Sequence, residues 1–310
     1  MRFDSRGLVS TYLSEWMPTG DTTRQSVAGY QAARYNGSNR LDITKLSFST
    51  ETASNIGNVS VNTSGYCGFA NSGVAGYLGG NNTLNGNKVA FPSDTISVLT
   101  PIAIGSKYGV AAFSNTAVAG YQCGGQEASQ TDTIAKVAFP SDAVSASATT
   151  LASVNYYSCG SSDYGVAGYT FAGAGNNTEV NKIAFPSDTR TTITTLSATS
   201  YPSCFANSGS AAYVNINNAG YSATIETYAF PSDVKTTYSA TLSVARWQMG
   251  GFCNIGIAGY FCGGAQTGGT GFSDVYDRFD MVSNVRTTLT AVLTTTGTSA
   301  SGAFADCGVF

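Results

Sequence analysis

Apolar positions along this chain come in short runs, and none carries the 3.6-residue period or the caps of a helix. The stretch 108–151 is typical. "YGVAAF" (108–113) is small and apolar, "AVAGYQCGG" (117–125) follows after Ser114 and Asn115, then a polar loop, "TIAKVAF" (133–139) and "AVSASATTL" (143–151). Val, Ile, Thr, Tyr and Phe fill these segments while Gly, Asn, Ser and Pro separate them, the alternation of strands and turns. The pattern predicts a chain that is almost entirely β.

The same pattern recurs. "SVAGY" ends at Tyr30, "GVAGY" at Tyr77, "AVAGY" at Tyr121, "GVAGY" at Tyr169, "GSAAY" at Tyr213 and "GIAGY" at Tyr260, in steps of 47, 44, 48, 44 and 47 residues. After each comes a variable Gly/Asn-rich loop and then a corner. The corner is Phe-Pro-Ser-Asp at 91–94, 139–142, 185–188 and 230–233, with degenerate versions in "KLSFSTET" (45–52) and "MVSNVRTTL" (281–289). A period of this length marks stacked or circular supersecondary units. Six units of four short strands predict an all-β, six-bladed β-propeller with four antiparallel strands per blade. The small residues of each first strand suit the crowded centre, and the Ser/Thr-rich fourth strand suits the rim.

The corner reads as a turn between the third and fourth strands. Pro92, Pro140, Pro186 and Pro231 set φ at the turn's second position, and Asp94, Asp142, Asp188 and Asp233 are expected to bond back to nearby amides. Asn284 in place of the acid in the last copy points to hydrogen bonding rather than charge. The corner phenylalanine is expected to pack between blades. Equivalent positions of a propeller lie on a ring, so four corner carboxylates are too far apart for paired acid–base chemistry. Lys45, Lys88, Lys136, Lys182 and Arg278 stand three residues ahead of the corners, with Thr227 in the fifth copy; they read as a solvated strand face that discourages edge association rather than as a cationic rim for an anionic partner, since five charges spread around a rim make a weak field.

Composition narrows the chemistry. Charged residues are 11%, the net charge is −3 and the pI is about 4.9, which leaves nucleic-acid binding without an electrostatic basis. No 18-residue apolar stretch predicts a membrane span, and "MRFDSRGLVSTYLSEW" has no apolar run of signal-peptide length. The chain has no histidine, which excludes Ser-His-Asp and Cys-His machinery and removes the commonest metal ligand. Seven cysteines without a C-x-x-C pair read as buried free thiols, not a zinc site, and no metal or cofactor is expected.

The copy "ATLSVARWQMGGFCNIGIAGYFCGG" (240–264), with "YLGG" (77–80) and "YQCGG" (121–125), resembles a kelch-type repeat, in which a small-residue strand leads to an aromatic and a Gly-Gly pair. The likeness covers about residues 24–310. The fourth-strand tryptophan of the usual kelch pattern is absent, and Trp247 stands in the junction before the next blade. The compact form is similar to the kelch-like repeats of cyanophage virion proteins. That resemblance implies a tail, baseplate or fibre-associated structural protein that is assembled in the host cytoplasm and exposed outside the cell.

Two further expectations concern the termini. "SGAFADCGVF" (301–310) aligns with "CGFANSGVA" (67–75), so the carboxy-terminus is expected to supply the inner strand of the first blade and close the ring. Residues 1–23 lie outside the repeat and carry Leu8, Tyr12, Leu13, Trp16 and Met17, either as a brace packed under the propeller or as a docking arm.

Three functions follow. The first is a non-enzymatic virion component whose loops, "LGGNNTLNGN" (78–87), "QCGGQEASQTD" (122–132), "TFAGAGNNTE" (170–179), "VNINNAGYSA" (214–223) and "FCGGAQTGGTGFSD" (261–274), contact other virion proteins or a host-surface glycan. The second is a carbohydrate-active enzyme or lectin on the same scaffold. A copper oxidase of the kelch type is excluded by the missing histidine, and a glycosidase has only Glu127 and Asp163, from different copies, to offer. The third is a cytoplasmic adaptor, for which the usual helical partner domain is missing.

Overall fold

The computed structural model describes residues 26–32, 35, 37–60, 65–80, 83–193, 195–217, 221–266, 271–294 and 302–306. The described residues form six four-stranded antiparallel sheets arranged as a six-bladed β-propeller, with one additional two-stranded ribbon. Blade 1 runs Gly302–Ala305, Ala28–Ala32, Asp42–Ser47, Thr52–Asn58 from axis to rim, and blade 2 runs Cys67–Asn71, Ala75–Gly79, Gly86–Ala90, Thr95–Leu99. Blade 3 comprises Ala111–Asn115, Ala119–Cys123, Thr131–Ala138 and Val144–Asn155, and blade 4 comprises Cys159–Asp163, Ala167–Phe171, Val180–Ala184 and Thr189–Thr192. Blade 5 is Ser203–Asn207, Ala211–Asn215, Ile225–Ala229 and Lys235–Thr237; blade 6 is Gly250–Asn254, Ala258–Cys262, Val275–Asp280 and Arg286–Val292.

The expected seam is present. Gly302–Ala305 pairs antiparallel with Ala28–Ala32, Tyr30 opposite Phe304, so the last strand completes the first blade and removes two open edges. Burial follows the radial order: inner and second strands are almost wholly buried, third strands alternate, and outer strands are largely exposed. Crowding at the axis explains the small inner-strand residues. A β-carbon on Gly160 would lie 2.4 Å from the Ala112 carbonyl oxygen, and one on Gly251 2.1 Å from that of Cys204.

The "AGY" phrase is explained by the neighbouring blade. A β-carbon on its glycine would meet the ring of an inner-strand phenylalanine: Gly76 against Phe304, Gly120 against Phe69, Gly168 against Phe113 and Gly259 against Phe205 at 2.0 Å, and Gly29 against Phe252 at 2.2 Å. Each phenylalanine belongs to the preceding blade. The exception is matched on both sides: blade 5 has Ala212 for glycine, and blade 4 has Ser161 for phenylalanine. The corner phenylalanine joins the same seam, as expected. Phe139 packs on Tyr77 at 5.2 Å and Phe69 at 6.3 Å, Phe91 on Tyr30 at 5.3 Å, and Phe230 on Tyr169 at 5.0 Å.

In an antiparallel meander, connections alternate between the two ends of the sheet. The turns after the first strands and the Phe-Pro-Ser-Asp corners therefore share one face, joined directly by Phe91 N–H donating to the Val74 carbonyl at 2.8 Å. The variable loops and the links between blades share the opposite one, here the loop face.

Candidate functional site

The corner residues singled out in the sequence are architectural. All four Phe–Pro bonds are cis, and Asp94, Asp142, Asp188 and Asp233 sit at φ between 56° and 58°, the left-handed region that Asp tolerates best after Asn and Gly. Each aspartate N–H closes the turn on a carbonyl four residues back, at 2.8–2.9 Å. The serines, not the aspartates, bond back to nearby amides, for instance by accepting from Thr95 N–H on Ser93 Oγ at 3.3 Å.

The aspartate side chains depart from expectation. Each reaches into the preceding blade and accepts from its "AGY" tyrosine and its lysine. Asp94 takes Tyr30 at 2.8 Å and Lys45 at 2.7 Å, and Asp142 takes Tyr77 at 2.8 Å and Lys88 at 2.7 Å. Asp188 takes Tyr121 at 2.7 Å and Lys136 at 2.5 Å, and Asp233 takes Tyr169 at 3.0 Å and Lys182 at 2.7 Å. Each lysine also lies over its tyrosine ring, 5.1–5.5 Å from the centroid. Burial, and then the adjacent carboxylate, push these tyrosines well above their usual pKa.

Two sequence expectations are thereby corrected: the lysines are latch partners, not a solvated face, and charge matters at the corner. At the ring's sixth seam Arg278 bridges to Glu51 at 2.9 Å. At the fifth, Thr227 replaces the lysine and Asn284 the acid, and Asn284 accepts from Tyr238 at 3.1 Å. Cation and anion change together, one copy apart, because a lone charge at a half-buried seam is costly. That paired exception is the sequence signal that reveals the latch.

A second girdle binds the loop face. Polar side chains at the start of third strands cap the chain leaving the previous blade: Asn87 accepts from Ser60 N–H at 3.1 Å, Asn181 from Ala152 at 3.0 Å, Glu226 from Ser197 at 3.1 Å and Asp277 from Ser243 at 2.9 Å. Asp277 is fully buried and pairs with the equally buried Arg246 at 2.5 Å. Burial lowers the Arg246 pKa against the pull of its partner. Glu127 and Asp163, the candidate acid pair, stand at opposite ends of the molecule. Glu127 accepts from Ser106 N–H on the loop face, while Asp163 accepts from Gly209 N–H at 2.8 Å among the first-strand turns. They cannot act on one bond.

The loop face centres on an axial cavity of ≈ 80 Å³ to which all six blades contribute, through residues such as Ala303, Gly68, Ala112, Tyr157, Cys204 and Gln248. It is room for a few waters, not for a sugar ring. Cys67, Cys159 and Cys204 line it as free thiols, and burial pushes the Cys67 thiol up to about 12 and raises that of Cys159, so these two sulfurs stay protonated. Among the described residues no cluster of His, Cys, Asp or Glu could hold a metal ion, and no helix is long and apolar enough to cross a membrane.

Around this cavity runs an arc of aromatic rings that the sequence reading passed over. Tyr108 lies 5.7 Å from Tyr157, Tyr157 5.0 Å from both Tyr156 and Tyr201, Tyr201 4.5 Å from Trp247, and Trp247 5.7 Å from Tyr221. All six are partly exposed. Burial, then the neighbouring tyrosines, push Tyr157 up to about 12, so its hydroxyl stays a protonated donor at neutral pH. The links between blades hold five rings of this arc and the blade 5 loop holds Tyr221, and these segments share no sequence phrase, which hid it. Tyr12, Leu13, Trp16 and Met17 lie outside the described residues. The chain matches no protein-family model and no curated protein.

Proposed function

We propose that this protein is a non-enzymatic structural and recognition module of a phage virion, associated with the tail, baseplate or fibre. Its loop face contacts host-surface or virion components, and residues 1–23, with Tyr12, Leu13, Trp16 and Met17, anchor it to the particle. The observation that carries the reading is the distribution of side-chain chemistry. The strongest ion pairs are tied into blade-to-blade girdles, whereas partly exposed aromatic rings stand together on the loop face of a closed ring. Loops on such scaffolds are the usual place for recognition. The resemblance of the repeat, read from the sequence, to kelch-like repeats of cyanophage virion proteins is what favours the virion assignment.

The test is location. Immunogold labelling and mass spectrometry of purified particles should find the chain at a fixed position and a constant copy number. Deleting residues 1–23 should release the protein from particles while the propeller keeps its melting temperature. Absence from particles overturns the assignment. A lectin role is the second reading, and the aromatic arc is the observation that favours it.

A further inference from the structure

The loop-face arc supports a more specific statement, which rests on the reading of that face as the recognition surface. We infer that Tyr108, Tyr156, Tyr157, Tyr201, Trp247 and Tyr221 form a binding platform for a neutral oligosaccharide, laid along the arc beside the axial cavity. Sugar rings present flat C–H faces edged by hydroxyls. Tyr and Trp present flat apolar faces with a polar tip, and lose little rotamer freedom when they bind. Consecutive rings stand 4.5–5.7 Å apart and are steeply inclined, at 83° for Tyr201 on Trp247 and 59° for Tyr157 on Tyr201. A chain of saccharide units thus meets faces and edges in turn. None of the six side chains is ionic. Arg246, next to Trp247, is turned inward to Asp277, and Lys107, next to Tyr108, donates to Thr133 with the carboxylates of Glu127 and Asp132 nearby, so the arc offers no unbalanced charge and suits a neutral ligand better than an acidic one.

The backbone supplies an independent observation. Two residues before five of the six inner strands, the chain is left-handed: Gly65 at φ 91°, Gly109 at 65°, Tyr157 at 54°, Tyr201 at 54° and Gln248 at 52°. This conformation is free for glycine and costly for any residue with a β-carbon. Two links meet the architectural demand with glycine. The other three accept a strained backbone: Gln248 turns its side chain to the axial cavity, and Tyr157 and Tyr201 place rings on the loop face, as expected where side-chain position serves binding.

The experiment titrates the full chain, in a Trp16→Phe background that leaves Trp247 as the sole tryptophan, with chitohexaose, cellohexaose and maltohexaose, following Trp247 fluorescence. A galacturonate hexamer and a decapeptide mixture are run in parallel. We expect saturable change with at least one neutral hexamer. Tyr201→Gly and Tyr157→Gly should each weaken binding about tenfold, with a melting temperature equal to or above that of the parent. The inference is overturned if no neutral hexamer binds at millimolar concentration, if only the acidic hexamer or the peptides bind, if both glycine variants bind as the parent does, or if their melting temperatures fall by several degrees, which would make the rings structural. The virion assignment is read from particle location, so a particle-bound protein that ignores sugars removes the glycan alone.

Discussion

Replacing Asp188 tests the blade latch. Its carboxylate accepts from Tyr121 and Lys136 across the seam between blades 3 and 4, with the aspartate side chain 20% and the lysine 24% exposed. Partial exposure screens the ion pair, so its own contribution is set at no more than about 1 kcal/mol. Asp188→Ala also strands the Tyr121 hydroxyl, at about 1 kcal/mol, and puts alanine at φ 56°, for about 1 kcal/mol more. The total is roughly 3 kcal/mol. At about 2 cal/mol/K per residue over 310 residues, that lowers Tm by about 5 °C. Asp188→Asn keeps an acceptor and tolerates the left-handed turn, so it should cost about 1 kcal/mol. The decisive measurement is a double-mutant cycle by urea denaturation with Lys136→Thr, which rebuilds the Thr227–Asn284 arrangement of the fifth seam. The pair should cost about 1 kcal/mol less than the two single changes together. Additivity within about 0.3 kcal/mol would refute the claim that the acid and the lysine act as a unit.

Phe304→Ala removes a fully buried ring from the closing strand and should cost about 3–5 kcal/mol, while deleting residues 301–310 should abolish the cooperative melt; an unchanged calorimetric transition after the deletion would contradict the seam. Gly120→Ala drives a β-carbon into the Phe69 ring and should cost about 1–3 kcal/mol, and Phe69→Ser in the same chain should recover part of that loss, as Ser161 accompanies Ala212; denaturant midpoints of the four proteins decide it. Tyr30, Tyr77, Tyr121 and Tyr169 have folded pKa values raised above the ordinary 10.0 by burial, then the neighbouring carboxylate. Their contribution is therefore intact below pH 10 and lost as pH rises beyond it, at about 1.4 kcal/mol per pH unit for each tyrosine. Circular dichroism from pH 8 to 12 should show steep unfolding above 10, and a flat signal would count against it.

Repetition made the architecture legible in the sequence. Six "AGY" phrases and six corners, with strand-length runs between them, specify six similar sheets, and a carboxy-terminal fragment that matches an inner strand specifies how the ring closes. Those features are local, because each depends on a few adjacent residues and the period of a strand. What Asp94 does was not local: its partners Tyr30 and Lys45 are 64 and 49 residues away, in another blade. In the sequence an acid in a turn looks complete by itself, and only the matched exceptions, Arg278 with Glu51 and Thr227 with Asn284, betray the neighbour. The aromatic arc left no signal at all. Its rings come from separate links and one loop with no common phrase, and closing the wheel is what brings Tyr108, Tyr157, Tyr201 and Trp247 side by side. The sequence by itself determined the unit and the number of units; the tertiary structure alone decided which side chains face each other across the seams, because that pairing depends on the angle at which neighbouring blades meet.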